Sequence, residues 1–342
     1  MTIKEKMKAP VVFTGNPAGL FTYAGRETSH PFWLMVEKEI SDHVRSLRFI
    51  IMMVLIALTS IATVYLALGS LKDAIKPGDP EGSFLFLKLF TVSDGSIPPF
   101  HVFIGFLGPL LGISLGFDSI NSELSRGTMS RLLAQPIHRD YIINAKFVAA
   151  LIVISGLFLC LGLLVTGWGI LKIGILPSFQ EFLRILALIV LIILYVAFWL
   201  NLAIFFSIKY KQASTSALAS IAVWLFVTVF YGMLVSLVAR SVAPSEFAPP
   251  GQIIAYQKLV QNLGRLVPSQ LFSDATTTLL MPSVRSLGPL TMEQVHGAIP
   301  SPLSLGQSML VVWPQLTGLI AATVVCFALS YRAFMRKEIR SR

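Results

Sequence analysis

The sequence predicts an all-α polytopic membrane protein with six transmembrane helices, and three observations carry that reading. Of the 342 residues, 55% are hydrophobic and only 13% charged, against about 25% charged in an ordinary soluble domain. Six apolar runs match the roughly 20 residues needed to cross a hydrocarbon core: Phe49–Leu68, Phe100–Phe117, Phe147–Trp168, Ile185–Phe206, Ala213–Val238 and Val311–Tyr331. None of the six contains Asp, Glu, Lys or Arg.

Six crossings put both termini on one side. That side comprises residues 1–48, 118–146, 207–212 and 332–342, and it holds 18 of the 27 Lys and Arg. Basic residues concentrate in cytoplasmic loops, so the bias places both ends in the cytoplasm of a multi-pass cell (plasma) membrane protein. The net charge of +10 is therefore a topology signal facing the lipid bilayer and needs no nucleic acid to explain it. Cys160 and Cys326 both fall inside spans, which argues against a structural disulfide, and their spacing suits no metal site. No signal peptide is expected, because the first 29 residues are polar and mixed and the first apolar run is long enough to stay in the membrane.

Taken in order, residues 1–29 read as a loosely ordered cytoplasmic tail. Residues 30–48 follow as a connecting helix. Phe32, Val36, Ile40 and Val44 recur at helical spacing, Glu37, Lys38, Asp42 and Arg45 occupy other faces, and Pro31 suits a first helical position. Such a helix lies in the interface with Trp33 at headgroup depth; the alternative is a flank that merely leads into the span. The transmembrane domain occupies 49–331. In its second span Gly108, Gly112 and Gly116 form two small-xxx-small steps, which point to close helix packing, or less simply to a pathway lining. Pro109 is placed to kink that helix.

The first external connection, about 69–99, and the short link between the third and fourth spans look unremarkable. The external region 239–307 holds eight of the nineteen prolines. Within it Leu259, Leu263 and Leu266, then Leu271, Ala275 and Leu279, describe two short amphipathic helices broken near Pro268. Lys258, Arg265 and Asp274 with that proline exclude a seventh span. Residues 332–342 form a cytoplasmic C-terminal tail.

The chemistry that is missing is informative. There is no Gly-x-x-x-x-Gly-Lys-[Ser/Thr] phosphate loop, no His-Glu-x-x-His and no Gly-x-Ser-x-Gly turn. His30, His43, His101, His138 and His296 are scattered, and His101 reads as a polar interface residue. No catalytic residue, metal ligand or cofactor site is therefore assigned. The span interiors offer only neutral polar groups such as Thr59, Ser155, Thr166, Asn201, Ser216 and Thr228. Proton-driven carriers commonly place an ionisable group at depth, so energy for uphill transport is expected from another polypeptide.

Between the second and third spans the chain leaves the membrane for residues 118–146, a polar excursion with Gly127-Thr128 at its centre. Ile120, Leu124, Leu132 and Leu133 give short helical stripes on either side. Gly127 can end one helix, Thr128 can cap the next and Pro136 can stop it. Glu123, Gly127, Thr128, Leu132, Leu133, Pro136, Ile137, Arg139, Ile142 and Lys146 together resemble the signature of the type-2 ATP-binding-cassette (ABC) export permeases. The stretch KEISDHVRSLRF, the six-span layout and LGRLVPSQLF are similar to the same family; Ala145 departs from the glycine common before the lysine.

The resemblance implies a permease that pairs with a second copy, identical or not, and sits on two separate ATPase subunits. Those partners, not this chain, would bind ATP and Mg. The excursion would be the coupling helix, with Glu123, Arg126, Gly127, Thr128 and Arg131 at or near the ATPase contact. The substrate path would run between protomers, lined by the second and fifth spans, with substrate-binding residues unassigned. Two other readings remain. An ion-coupled secondary transporter would work alone, but the charge-free span cores disfavour it. A membrane-embedded lipid-modifying enzyme would need convergent groups, and Asp274, Glu293 and His296 show no recognisable arrangement.

Overall fold

The computed structural model describes residues 30–74, 84–93, 95–135, 137–245, 248–284 and 302–337. The N-terminal tail, Pro136, Glu293, His296 and the last five residues lie outside that set. In chain order the helices are α1 (Pro31–Val44), α2 (Leu47–Ala74), α3 (Leu85–Thr91), α4 (Phe100–Gly116), α5 (Asn121–Ser125), α6 (Thr128–Leu133) and α7 (Arg139–Ile173). Then come α8 (Phe179–Lys209), α9 (Ala213–Leu225), a π turn (Phe226–Phe230), α10 (Tyr231–Ser241), α11 (Pro250–Gly264), α12 (Pro268–Leu280) and α13 (Leu305–Arg336). Six membrane-crossing helices are found among the described residues. They run α2, α4 with α5, α7, α8, α9 through α10, and α13.

The bundle is organised about α8, which packs against α4, α7, α9, α12 and α13. Its start is defined by a reciprocal cap. The Ser178 hydroxyl accepts from Glu181 N, and the Glu181 carboxylate accepts from Ser178 N at 2.8 Å. From there α8 presents large buried side chains, including Tyr195 and Trp199, on faces turned to its neighbours. Its contact with α4 is set by glycine. A Cβ at Gly112 would lie 2.7 Å from the Val196 carbonyl oxygen, and one at Gly116 would lie 2.7 Å from that of Leu200. At Gly108 the nearest atom would be the Val196 methyl, at 3.0 Å. Gly112 and Gly116 thus let two backbones touch, while Gly108 faces a side chain.

Three features depart from the plain reading of the chain. The first connection contains α3, whose Phe86, Leu87, Leu89 and Phe90 are buried against the bundle. A segment with that much apolar surface cannot remain a solvated loop. The link between the third and fourth spans is not featureless either, because α8 begins six residues before the apolar run and carries a fully buried Arg184. Its Nη1 donates to the Leu279 carbonyl (2.9 Å) and its Nη2 to the Leu303 carbonyl (2.6 Å), so two of its nitrogens are met by backbone oxygens that end α12 and precede α13. Beside it, Glu181 accepts from Phe86 N at 2.9 Å. The pair locks α3, α12 and the approach to α13 onto one end of α8. Third, the fifth span is not one regular helix: a π turn divides it.

The fifth span is also the peripheral one. Only 6% of its most apolar stretch is buried, against 61% for α8. Beyond it, α11 and α12 meet at Pro268, which occupies the first turn of α12. α12 is buried against α8 and α13 through Leu271, Phe272, Ala275 and Leu279, whereas α11 buries no residue fully.

The glycine contact is testable. Gly116→Ala forces α4 and α8 apart, with an expected loss of about 1–3 kcal/mol. Gly167→Ala, where nothing lies within 4 Å, is expected to be neutral or stabilising through helix propensity. Thermal unfolding of the two purified variants should therefore move the midpoint down for the first and not for the second.

Candidate functional site: the polar elbow and its anchor

The elbow between the second and third spans is built from three short pieces. After α4 the chain turns through Phe117–Ile120 into α5, reverses at Gly127 and runs into α6. Gly127 has φ +69°, the left-handed region that L side chains rarely adopt. It closes α5 by donating its N–H to the Leu124 carbonyl at 3.3 Å. Thr128 does not act as the cap that its position suggests. It is the first residue of α6, and its hydroxyl turns back to donate to the Glu123 carbonyl at 3.2 Å. Met129 and Ile120 are buried, and Leu124 and Leu133 pack on the main core, so the elbow is seated by apolar contacts beneath.

The start of α5 has no cap from its own sequence. Instead the Ser207 hydroxyl of α8 accepts from the backbone N–H groups of Ile120 (2.9 Å) and Asn121 (3.1 Å). This satisfies donors that would otherwise be orphaned in a buried position. The end of α8 is tied again by Lys337, which donates to the Ile208 carbonyl. Arg139, at the start of α7, donates to the carbonyls of Phe334 (2.6 Å) and Lys337 and lies over the Phe334 ring. Burial, then the nearby Lys211 charge, lowers the Lys337 ammonium from its ordinary range.

The electrostatic centre is Lys146 on α7. Its Nζ sits 2.7 Å from Glu123 Oε1 and 2.9 Å from Glu39 Oε2, and the side chain is only 5% exposed. One ammonium therefore joins the elbow, the connecting helix α1 and the third span. Val36 of α1 packs beside Ala145 and Ala149 of α7, which lets the two helices approach closely enough for the ion pair. The other oxygen of Glu39 accepts from Lys38 at 3.1 Å. Burial alone would raise the Glu39 carboxyl, but Lys146 and Lys38 outweigh it and hold the group below its usual range. For Lys38 burial acts downward and the Glu39 charge more than compensates, leaving it raised. His43 is lowered, chiefly by burial. A second pair, Arg48 with Asp118 at 2.7 Å, ties the start of α2 to the exit of α4, with Arg48 also over the Phe117 ring.

These groups line a groove of about 640 Å³ between α1 and the elbow. The five residues that the sequence reading places at a coupling contact divide in two. Arg126, Gly127 and Arg131 are exposed and Thr128 is half-buried, with Arg126, Thr128 and Arg131 bordering that groove. Glu123 turns inward to Lys146 and is part of the anchor. Glu39, Ser207 and the structural role of Lys146 were not read from the sequence. Glu39 and Lys146 lie 107 positions apart, and no spacing rule relates them.

With this geometry in view, comparison with known families is direct. A family model described as ABC-2 family transporter protein matches residues 33–339 of the chain. The chain belongs to that family, whose members are membrane-embedded transport subunits and generally non-catalytic. No curated protein matches it closely enough to count as a relative.

Two outcomes follow from the anchor. Lys146→Met leaves two buried carboxylates facing each other, and breaking such a buried pair costs about 3–5 kcal/mol. The expected result is a lower unfolding midpoint and faster trypsin cleavage at Arg126 and Arg131. A Glu39→Gln, Glu123→Gln, Lys146→Met triple variant should recover most of that loss. The pH dependence has a defined sign. His43 and Glu39 are both lowered in the folded chain, so each stabilises fully above its unfolded value and loses that contribution as pH falls through the folded one. Wild type should begin to weaken below about pH 6.5, the ordinary imidazole value, facing Glu39, Lys146, Asp118 and Asp42. His43→Gln should lessen the weakening in that range, as read by melting across pH.

Proposed function

We propose that this chain is the transmembrane permease subunit of an ATP-driven ABC exporter, with no hydrolytic activity of its own. Two separate ATPase subunits would bind ATP and Mg and grip the elbow, and a second permease copy would complete the substrate path. The observation that carries the reading is the elbow itself: exposed Arg126, Gly127 and Arg131 on a support cross-linked to α1, α7 and α8. A surface meant to receive a push must not yield beneath it. Here the underside is held by a buried ion triad and by the Ser207 cap.

Two further features support the reading. The chain has no phosphate-binding loop, so hydrolysis has to reside elsewhere. The fifth span has the smallest buried share of the six, 6% of its most apolar stretch, as expected of a span that faces lipid on one side and a second protomer on the other. With the basic bias of the sequence, the elbow and both termini would face the cytoplasm.

Reconstitution with the cognate ATPase tests the proposal. Arg126→Glu with Arg131→Glu should weaken ATPase association about tenfold and more steeply at low salt, with unchanged folding. Lys146→Met, which loosens the support beneath these residues, should lose transport per ATP hydrolysed. Unchanged association and transport in both variants, or transport by the purified chain alone under an ion gradient, would exclude the coupling role.

A further inference from the structure

At the end of the bundle that carries the elbow, α8 and α13 finish side by side. The Ser330 hydroxyl donates to the Asn201 carbonyl at 3.2 Å, and further along the Lys337 ammonium donates to the Ile208 carbonyl. Both pairs are 129 positions apart, so the two helices run parallel and stay in step. Their last residues, Lys209 and Arg336, therefore reach the same depth. The chain passes from α8 into α9 through residues 210–212 alone, and Lys211 sits in that link. So short a link rises no more than about 7 Å from the helix ends before it has to return. Its cation is thereby held at the level of lipid headgroups.

This end of the bundle has gathered charge of one sign. Residues 207–212 and 325–337 contain Lys209, Lys211, Arg332, Arg336 and Lys337 and no Asp or Glu. Near the elbow, by contrast, Lys38, Arg48 and Lys146 each meet a carboxylate. Lys209, Lys211, Arg332 and Arg336 are exposed and form no ion pair among the described residues. Lys337 uses one of its three N–H donors on Ile208, which leaves two. Lys211 lies close enough for its charge to act on the Lys337 ammonium. Like charges held together by the register of two helices repel, and an anion placed between them relieves that repulsion.

The outer face of α13 indicates what the anion is attached to. Val325, Leu329, Arg332 and Arg336 follow at steps of four, three and four, which is one side of a helix. Val325 and Leu329 are 58% and 52% exposed within a membrane-crossing helix, so an apolar strip runs straight into the basic end. A soluble phosphate or an acidic peptide would use the basic end alone, whereas a phospholipid uses both. A zwitterionic headgroup brings its own ammonium among the cations; an anionic one does not. Tyr210 and Tyr331, both half-buried, adjoin the same level, where interfacial aromatics gather. We propose that the ends of α8 and α13 bind an anionic phospholipid, its phosphate at Lys211, Arg336 and Lys337 and an acyl chain along Leu329 and Val325.

The test uses the full chain in dodecyl maltoside micelles without any ATPase, so its failure leaves the coupling reading untouched. Dioleoyl phosphatidylglycerol is titrated in, and native mass spectrometry resolves the first lipid bound. Dioleoyl phosphatidylcholine, glycerol phosphate and a polyglutamate peptide serve as competitors. The expected result is saturable binding of phosphatidylglycerol that none of the three displaces efficiently. Lys211→Gln with Arg336→Gln should weaken it about tenfold. Lys172→Gln with Arg240→Gln removes the same charge from exposed positions at the opposite end of the bundle and should leave binding unchanged. Lys209→Gln with Lys211→Gln, expected to weaken binding several-fold, stays informative if the first pair misfolds. Equal binding of phosphatidylcholine, displacement by glycerol phosphate or by the peptide, wild-type binding by the Lys211 and Arg336 variant, or an equal loss in the Lys172 and Arg240 variant would each overturn the assignment.

Discussion

A single buried ammonium decides how the elbow relates to the rest of the molecule. Lys146 is shared between Glu39 and Glu123, and each carboxylate comes from a different segment. Taking three charges out of water is expensive, so such a cluster contributes less net stability than its short distances imply. What it supplies is position. An apolar contact of similar size would tolerate sliding between α1, the elbow and α7, whereas any displacement here leaves a charge unpaired in a poorly solvated place. The cost of misregistration is therefore steep, and the three elements keep one arrangement.

The anchor would be of little use if the elbow could pivot about its other end. That end is held by Ser207, which caps α5 across space, and by the α4–α8 contact that leads directly into it. Gly112 and Gly116 place the two backbones in contact over successive turns, and close-packed helices do not deform gradually. A load on the exposed face of the elbow would thereby be divided. One part reaches α1 and α7 through charge, the other reaches α4 and α8 through a hydroxyl and a backbone seam.

The architecture was legible in the chain because its causes are local and periodic. Six charge-free runs, the Pro31 helix start, the Gly127 reversal and the Pro268 break each follow from residues within a few positions of one another. Features that depend on distant partners were not. Arg184 stands directly before the fourth apolar run, and it is buried because carbonyls 95 and 119 positions away receive it. The sequence places Glu123 at or near an ATPase contact, whereas its pairing with Lys146 turns it inward. Thr128 has the composition of a cap, but the Gly127 geometry puts it one position too late. α3 was hidden for a different reason: seven residues are too few for a periodic signal, although five of them are buried.

The same division between local and distant causes bears on where this bundle can change shape. α8 and its neighbours are joined by glycine contacts, a buried arginine and a buried glutamate, so their mutual rearrangement would expose several polar groups at once. The fifth span carries no such constraints among the described residues. Its helical hydrogen-bond pattern already shifts at the π turn, most of its surface meets no other part of the chain, and its far half is tied by one Tyr231 hydrogen bond to α11. Few buried contacts and an interrupted helix mean a low free-energy cost of local displacement. Displacement within this bundle would therefore meet least resistance at α9 and α10, where the fifth span packs on α4 and α8.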